Sequence, residues 1–230
     1  MMTAITDVQV LGQSEDHLVF VPEFDCLLHI DVVSPLRQLA SLAKKAGFEL
    51  AVASSFRSFD RQRDIWNAKA TGSRPVLDDE EREVDISRLN GWSLVQSILR
   101  WSALPGASRH HWGTDLDVYD RAAMVNGYEL QLTAAETKDG GPFVRFHQWL
   151  TAQIDSQQAC DFVRPYAVDR GGVACEPWHI SYKPVAKQFE KALSADLLWK
   201  AISKADLSLG DEVLKNLPEI HQRYISANLA

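Results

Sequence analysis

The strongest constraint on the fold comes from two short segments, residues 108–117 (SRHHWGTDLD) and residues 176–179 (EPWH), about sixty residues apart. They combine imidazoles with carboxylates. Zinc in a hydrolytic site usually takes three protein ligands from His and Asp or Glu and leaves a fourth position for water. His110, Asp117 and His179 are the candidate ligands. Because these residues are distant in sequence, only a fold that places the two segments side by side can form such a site.

A further carboxylate is available for acid–base chemistry. Hydrolysis at a metal needs a group that takes a proton from water and passes it to the leaving amine. Glu176, three residues before His179, is the candidate for this general base. His111 and Asp115 form a competing ligand pair at a spacing of four, which suits one face of a helix. Gly113 lies between them and argues against a continuous helix there.

These segments resemble the signature of the VanY-like D-alanyl-D-alanine carboxypeptidases, zinc peptidases that share a fold with VanX dipeptidases and the hedgehog signalling domain. The family pattern reads Ser-x-His-x-x-Gly-x-x-x-Asp and then Glu-x-x-His, commonly with Trp before the last His. The matching positions in this chain are Ser108, His110, Gly113, Asp117, Glu176, Trp178 and His179. Asp115 is a departure, because the family usually carries a small residue there. It adds a negative charge beside the expected metal.

A third segment, Ser54–Gln62, is similar to an upstream element of the same family, Ser-x-x-Arg-Ser followed by Gln. The resemblance implies that Arg57 faces the substrate near the scissile bond and that Gln62 and Ser108 contact the substrate. Independently, a guanidinium is a natural partner for a peptide carboxylate or for an oxyanion, through paired N–H donors. A role for Ser108 as a turn cap is an equal alternative.

The resemblance spans about Ser54 to Tyr182 and implies an α+β fold, with a central, mainly antiparallel sheet flanked by helices, like that of the hedgehog and D-Ala-D-Ala peptidase domains. It also implies a zinc carboxypeptidase that removes the C-terminal D-alanine from peptidoglycan stem peptides. We expect L,D-carboxypeptidase action on tetrapeptides in muropeptide recycling. The alternatives are D,D-carboxypeptidase or dipeptidase action, and a non-catalytic, zinc-containing binding module. The intact Glu176 favours an enzyme over a binding module.

Composition limits the partners and the compartment. The 230 residues carry a formal net charge of -7, which gives no basic footprint for nucleic acid or an anionic membrane. Three widely spaced cysteines, Cys26, Cys160 and Cys175, predict reduced thiols. Cys175, next to Glu176, could also be a nucleophile or a fourth, structural metal ligand, but a buried, inert thiol is favoured. Without a visible signal peptide or apolar span, we expect a cytoplasmic protein whose substrate lies inside the cell.

The domain prediction is a zinc peptidase core over residues 1–183, including an N-terminal extension, and a helical C-terminal extension over residues 184–230 packed on it. The first thirty-three residues, including Val8–Leu11, predict extended structure. Ser34 is the expected N-cap of a helix that ends at Gly47. The other predicted strands are 48–53, 116–119, 162–168 and 172–182, and the other helices are 59–70 after a Ser58 cap, 92–101, a short one at the Thr133/Glu136 capping box, 142–157, and 184 to the end.

Several residues need no catalytic role. His17, His29 and His221 have no acidic or Cys neighbour at ligand spacing, and His147 lies in an amphipathic helix, so structural roles are favoured. Trp112 and Trp178 either wall a pocket or belong to the core. The polar, acidic stretch from residue 71 to 90 is either a solvated surface loop or a lid over the cleft.

Overall fold

The computed structural model describes residues 5–125 and 127–228. The predicted domain limits at residues 1 and 230 lie outside these ranges. The strands are Leu18–Val21 (β1), Cys26–His29 (β2), Leu50–Ser54 (β3), Asp115–Asp120 (β4), Phe162–Val163 (β5) and His179–Tyr182 (β6). The α-helices are Asp7–Val10 (α1), Val33–Lys45 (α2), Phe59–Ala70 (α3), Gly91–Trp101 (α4), Ala134–Thr137 (α5), Val144–Asp155 (α6), Lys183–Ala192 (α7), Ala195–Ile202 (α8), Gly210–Lys215 (α9) and Leu217–Ile220 (α10). Short 3-10 turns and a π-helical turn, His221–Ile225, complete the chain.

A four-stranded antiparallel sheet in the order β3-β4-β6-β5 forms the centre of the molecule, and β1 pairs with β2 in a separate hairpin. The predicted α+β fold with an antiparallel sheet flanked by helices is confirmed. In the sheet, Asp117 of β4 is paired with Ser54 of β3 on one side and with His179 of β6 on the other. The strand register alone therefore brings the upstream segment and both signature segments onto one line across the sheet.

Two apolar cores hold the helices around this sheet. One packs α2 and α6 against the sheet and includes Leu39, Leu116 and Phe146, each of which is fully buried. The other packs α3 and α4 against the C-terminal helices and includes Trp66 and Leu198. The chain after residue 183 thus contributes to a core that it shares with earlier helices. The division into a core and an extension at residue 183 stays a prediction.

Local capping signals predicted two elements correctly. The Ser58 side chain accepts a hydrogen bond from the Arg61 amide at 3.2 Å, and α3 runs over the predicted residues 59–70. Thr133 and Glu136 form the expected capping box at the start of α5. In both places the side-chain oxygen satisfies a backbone donor that the first helical turn leaves free.

Two predictions near the N-terminus were wrong. Residues Val8–Leu11 are not extended, because Thr6 and Gln9 form a capping box that starts α1. Ser34 does not cap α2, which begins at Val33 directly after the 3-10 turn Ile30–Val32. The side chain of His29 caps that turn instead, accepting from the Asp31 amide at 3.2 Å. The sequence around α1 carries a capping signal in Thr6 and Gln9. The turn before α2 is capped by a histidine, which is an unusual capping residue.

Two longer predictions were also wrong in extent. Between Phe162 and Tyr182 only β5 and β6 are strands, since Pro165 and Pro177 lack the N–H that a sheet ladder needs. Glu176 consequently lies just before β6 and not within the sheet. The C-terminal part is not one continuous helical stretch, because Ser194 caps a new helix, α8, and residues 203–209 are not helical.

The acidic segment 71–90 is tied to the neighbouring helix. Arg100 pairs with Asp79 at 2.6 Å, and the Trp101 indole donates to the carbonyl oxygen of Asp78 at 3.0 Å. An isolated antiparallel bridge joins Leu77 to Glu83. The role of segment 71–90 as a lid stays a prediction. Among residues 5–125 and 127–228, no helix is both long and apolar enough to cross a bilayer.

Candidate metal centre and active site

Three buried side chains from different elements converge next to the sheet. His110 lies on the 3-10 turn Arg109–Trp112, Asp117 is on β4, and His179 is the first residue of β6. One potential ligand atom from each lies within 4.8 Å of the others. In the described part of the chain this is the group of His, Cys, Asp and Glu side chains that could hold a metal ion. The structure therefore brings together the three predicted ligands.

The spacing of the donor atoms fits zinc. His110 Nε2 is 3.4 Å from Asp117 Oδ2, and His179 Nδ1 is 3.2 Å from Asp117 Oδ1. Ligands bonded at about 2.0–2.1 Å in a tetrahedral site are roughly 3.3 Å apart. Asp117 Oδ1 and His179 Nδ1 are buried, and neither has a hydrogen-bond partner. Two buried ligand atoms without hydrogen-bond partners at this separation, in an N, N, O donor set, match the needs of a divalent cation.

Electrostatics keep two of the three ligands ready for a cation. Burial alone would raise the pKa of Asp117, but the neighbouring His110 and His179 rings outweigh it and lower this pKa. Burial lowers the pKa of His110, which favours its neutral form. Burial also opposes the charge on His179, but Asp115 and Asp117 raise its pKa to about 9. A cation must therefore displace a proton from His179 when it binds.

Asp115 orients the His179 ring from the side opposite Asp117. Its carboxylate Oδ1 lies 3.0 Å from His179 Nε2, the ring nitrogen opposite the one that faces Asp117. A carboxylate in this position accepts the Nε2–H proton and leaves Nδ1 free as a ligand atom. The negative charge that distinguishes this chain from the family pattern thus acts on the ring of a ligand. It does not take a ligand position.

The competing ligand pair of His111 and Asp115 is wrong. His111 Nε2 accepts a hydrogen bond from the Gly106 amide at 3.0 Å, and Nδ1 contacts the carbonyl oxygen of Arg57. Both ring nitrogens are therefore occupied by the backbone. Burial lowers the pKa of His111 to about 3, so the ring is neutral. Gly113 takes a left-handed conformation with φ of 67°, which ends the turn and breaks the helix face that this pair would need.

Arg109 neutralises the buried charge of Asp115. Its Nε donates to Asp115 at 2.7 Å, and its other nitrogens donate to Glu190 at 2.7 Å and Ser181 at 2.8 Å. Asp115 is fully buried, and Glu190 comes from helix α7, eighty-one positions further along the chain. Burial would raise the pKa of Asp115, but the charge of Arg109 and the hydrogen bond with His179 lower it.

Glu176 stands beside the candidate ligands. Its Oε2 lies 3.5 Å from His179 Nδ1, and its side chain is 14% exposed. Burial raises the pKa of Glu176 to about 7, against the opposing effect of the positive charge on His179. A carboxylate with a pKa near neutrality can both take and return a proton in one reaction cycle. The geometry therefore fits the general base that the sequence predicts.

Arg57 lines a cavity next to this site and is held from two sides. Its guanidinium donates to Gln62 Oε1 at 2.8 Å and to Ser54 Oγ at 3.0 Å, and its backbone amide donates to the carbonyl of His110. Gln62 is fully buried and also donates to the carbonyl of Ala103. Gln62 thus positions Arg57 and has no exposed surface of its own, and its contact with substrate stays a prediction. Ser108 is 1% exposed, and its side chain makes no cap hydrogen bond.

The family model for VanY, described as D-alanyl-D-alanine carboxypeptidase, matches residues 25–185 of this 230-residue chain. The chain belongs to the VanY family. The match covers the three segments that build the site, from Ser54 on β3 to His179 on β6. The resemblance seen in the sequence is confirmed.

The chain is also similar in sequence to curated relatives and in fold to solved structures. An uncharacterized protein of Haemophilus influenzae is 42% identical over 103 residues, which cover 44% of this chain and 70% of that protein. The structure of the LdcB LD-carboxypeptidase aligns with a TM-score of 0.51 at 22% identity, over 87% of this chain and 78% of that one. A mutant of the vancomycin resistance D,D-pentapeptidase VanY, from a VanB-type resistance cassette and in complex with Zn(II), aligns with a TM-score of 0.50 at 19% identity. This alignment covers 85% of this chain and 88% of the VanY mutant chain.

The remaining predictions for this VanY-family chain concern aromatic and sulfur side chains. Trp112 is 1% exposed, stacks on Phe189 and donates to the carbonyl of Val10, so it belongs to the core. Trp178 is also buried. The three cysteines are free thiols, and Cys175 is not part of the ligand group, so the closed structural site is not formed. The ring of His147 packs against Phe146, as its helix predicted.

Sequence reasoning missed Arg109 and Ser181, which bond to Asp115, and Glu190, which pairs with Arg109. It also missed Tyr166, whose ring centroid lies 4.8 Å from that of His179. None of these residues is a fixed position of the motif, and Glu190 lies beyond the end of the family match at residue 185. The one available signal was the unexpected Asp115, because a buried carboxylate requires a cation nearby.

Proposed function

We propose that this chain is a zinc carboxypeptidase that removes the C-terminal D-alanine from peptidoglycan stem peptides, acting on the L,D bond of tetrapeptides. The observation that carries the proposal is the buried group of His110, Asp117 and His179 with Glu176 beside it, which combines a cation site and a proton acceptor. Membership of the VanY family supports the reaction class. A zinc ion in such a site supplies Lewis acidity, which allows water to attack a carbonyl near neutral pH.

The residues of this chain then have distinct roles. Glu176 accepts the proton of the attacking water at Oε2 and returns it to the leaving amine, because its pKa near 7 allows both transfers. Arg57 stabilises negative charge on the carbonyl oxygen, since its guanidinium is fixed by Gln62 and Ser54. Asp115 and Arg109 hold His179 in the tautomer that presents Nδ1.

The intact proton acceptor favours an enzyme over a non-catalytic binding module. A binding module has no use for a carboxylate whose pKa burial raises to about 7 beside a cation site. The choice between L,D and D,D bonds depends on the substrate pocket. The cytoplasmic location and the role in muropeptide recycling stay predictions.

The test is an incubation of zinc-loaded protein with two muropeptides, one ending in a tetrapeptide and one in a pentapeptide, followed by mass spectrometry. Loss of alanine from the tetrapeptide alone supports the L,D-carboxypeptidase. Loss from the pentapeptide alone identifies a D,D-carboxypeptidase instead. Cleavage of neither peptide by protein that contains zinc contradicts the proposal and favours the binding module.

The Glu176→Gln variant separates the proton acceptor from the metal site. We expect it to retain zinc and to lose about 10²–10⁴-fold in kcat, the usual contribution of a general base. Glu129→Gln is the matched control, because it removes one carboxylate charge from an exposed position. If the Glu176→Gln protein turns over the substrate like the control, Glu176 has no role in the mechanism.

A further inference from the structure

One face of helix α3 extends the candidate site away from the metal ligands. A cavity of about 620 Å³ is lined by Arg57, by Arg61 and Ile65 of this helix, and by Arg74 from the segment that follows it. Lys69 lies one turn beyond Ile65 on the same face of the helix. The Arg74 amide donates to the carbonyl of Ala68 at 2.9 Å, which holds Arg74 beside the end of α3. A row of cations therefore starts at Arg57 and continues along α3.

These cations lack partners within the protein. Among the described residues, no ion pair or side-chain hydrogen bond is found for Arg61, Lys69 or Arg74, unlike the nearby Arg63, which pairs with Asp60 at 2.9 Å. The one acidic side chain that lines the cavity is Glu15. In a chain with a net charge of -7, a concentration of unpaired positive charge at a cleft indicates an anionic ligand.

Lys69 also lies close to the reacting groups. It is partly buried, and burial together with the charge of Arg74 lowers its pKa to about 8, while Glu176 opposes this shift. The positive charge of Arg57 also lowers the pKa of Lys69. Lys69 is thus within electrostatic range of both Glu176 and Arg57. A substrate group that meets Lys69 must lie near the scissile bond.

We propose that Lys69 and Arg74, with Arg61 at the rim, bind a second carboxylate of the substrate, on the residue whose carbonyl is attacked. The inference rests on the proposed function and names the substrate class, a peptide with an acidic side chain next to the scissile bond. A single terminal carboxylate neutralises one cation and leaves the others of the row unpaired. A second carboxylate gives the remaining cations charge-assisted hydrogen bonds.

The dimensions of the row suit a short peptide. From Arg61 to Lys69 the helix rises about 12 Å, at 1.5 Å per residue. An extended peptide covers that length with three to four residues, at about 3.3 Å each. In a tetrapeptide the attacked carbonyl belongs to the third residue, which can carry a side-chain carboxylate. In a pentapeptide ending in two alanines the attacked carbonyl belongs to alanine, which cannot, so the row favours L,D cleavage.

The test compares two tetrapeptides, L-Ala-γ-D-Glu-X-D-Ala, in which X is meso-diaminopimelate or L-lysine. They differ by one carboxylate on the third residue. We expect the wild-type protein to show a kcat/KM roughly ten-fold or more higher for the diaminopimelate peptide, as for one charge-assisted hydrogen bond. Lys69→Gln and Arg74→Gln should each reduce this preference, because kcat/KM falls further for the diaminopimelate peptide than for the lysine peptide. Retained turnover of the lysine peptide shows that a variant is folded.

Arg63→Gln is the matched control. It removes one positive charge from the same helix, about 200° around the axis from Arg61, and should leave the preference intact. Equal losses for both peptides in the Lys69 and Arg74 variants overturn the inference, because the cations would then bind a carboxylate that both peptides carry, either that of the terminal D-alanine or the α-carboxylate of the γ-linked D-glutamate. No change with either peptide also overturns it.

Failure of the proposed function gives a different result. If wild-type protein cleaves neither tetrapeptide, calorimetric titration with the two corresponding tripeptides tests the cations separately. Tighter binding of the diaminopimelate tripeptide supports the proposed carboxylate site. Loss of this preference in the Lys69→Gln protein assigns the preference to Lys69. Equal binding of the two tripeptides overturns it.

Discussion

Replacing Arg109 with methionine is expected to destabilise the protein strongly, because this side chain neutralises two buried carboxylates. Arg109 is 5% exposed and bonds to Asp115 and Glu190, each at 2.7 Å. Its guanidinium also stacks over the Trp112 ring at 4.9 Å. Methionine fills much of the same volume but supplies no charge and no donor. Glu190, which is 7% exposed, would then be buried without its cation, and Asp115 would keep His179 as its cationic neighbour.

The size of the effect follows from burial. Removing one partner of a buried ion pair costs about 3–5 kcal/mol, because it leaves an uncompensated charge. A domain is stable by only about 5–15 kcal/mol, so this loss is a large part of the total. The matched control is Arg121→Met, since Arg121 pairs with Glu49 at the surface with side chains 56% and 50% exposed. Exposed pairs contribute about 0–1 kcal/mol.

Urea denaturation of both variants in the presence of a chelator measures the difference without a contribution from zinc. With an m-value of about 2 kcal/mol/M, the Arg109→Met midpoint should fall by roughly 2 M, while that of Arg121→Met moves by less than about 0.5 M. A loss below about 1 kcal/mol for Arg109→Met would refute the reasoning. It would mean that water reaches Asp115 and Glu190 once the guanidinium is removed.

Three other changes test separate parts of the structure. Asp115→Asn should weaken zinc affinity about 10–100-fold, because His179 loses a charged acceptor at Nε2; competition with a chromophoric chelator measures this, and unchanged affinity contradicts the role of Asp115. Gly113→Ala places a Cβ 2.5 Å from Leu18 Cδ2 at a φ of +67°, so we expect a loss of at least about 1–3 kcal/mol in thermal denaturation; an unchanged Tm counts against this close packing. Leu198→Ala should cost about 2–5 kcal/mol in a single transition, because α8 packs in a core shared with α3 and α4. A separate early transition would show instead that the C-terminal helices unfold on their own.

Local signals explain which parts of the fold the sequence could predict. The start of helix α3 was predicted correctly because Ser58 satisfies a backbone donor of the first turn within three residues. Helix α1 was missed although Thr6 and Gln9 carry the same kind of signal. The strand predicted over residues 172–182 was too long, since whether residues pair in a sheet depends on a partner strand and not on their own pattern. Only β6, which has β4 and β5 as neighbours, is a strand there.

The sequence by itself determined the chemistry of the site. A motif of His and Asp, with Glu176 three residues before His179, predicts a divalent cation and a proton acceptor, because few other side chains can supply these functions. The upstream Arg57 was predicted from the family resemblance and from the pairing of a guanidinium with carboxylates and oxyanions. The predictions of the metal ligands and the proton acceptor depend on residue types within two short segments of the sequence.

The tertiary structure alone decided how these groups are held and which competitors are excluded. The backbone of Arg57 and Gly106 occupies both nitrogens of His111, which removes it as a ligand. Glu190 reaches Arg109 from a helix eighty-one positions away, and the charges of Lys69 and Glu176 act on each other across separate elements of the fold. Such contacts are set by how distant segments pack, and no local pattern encodes them.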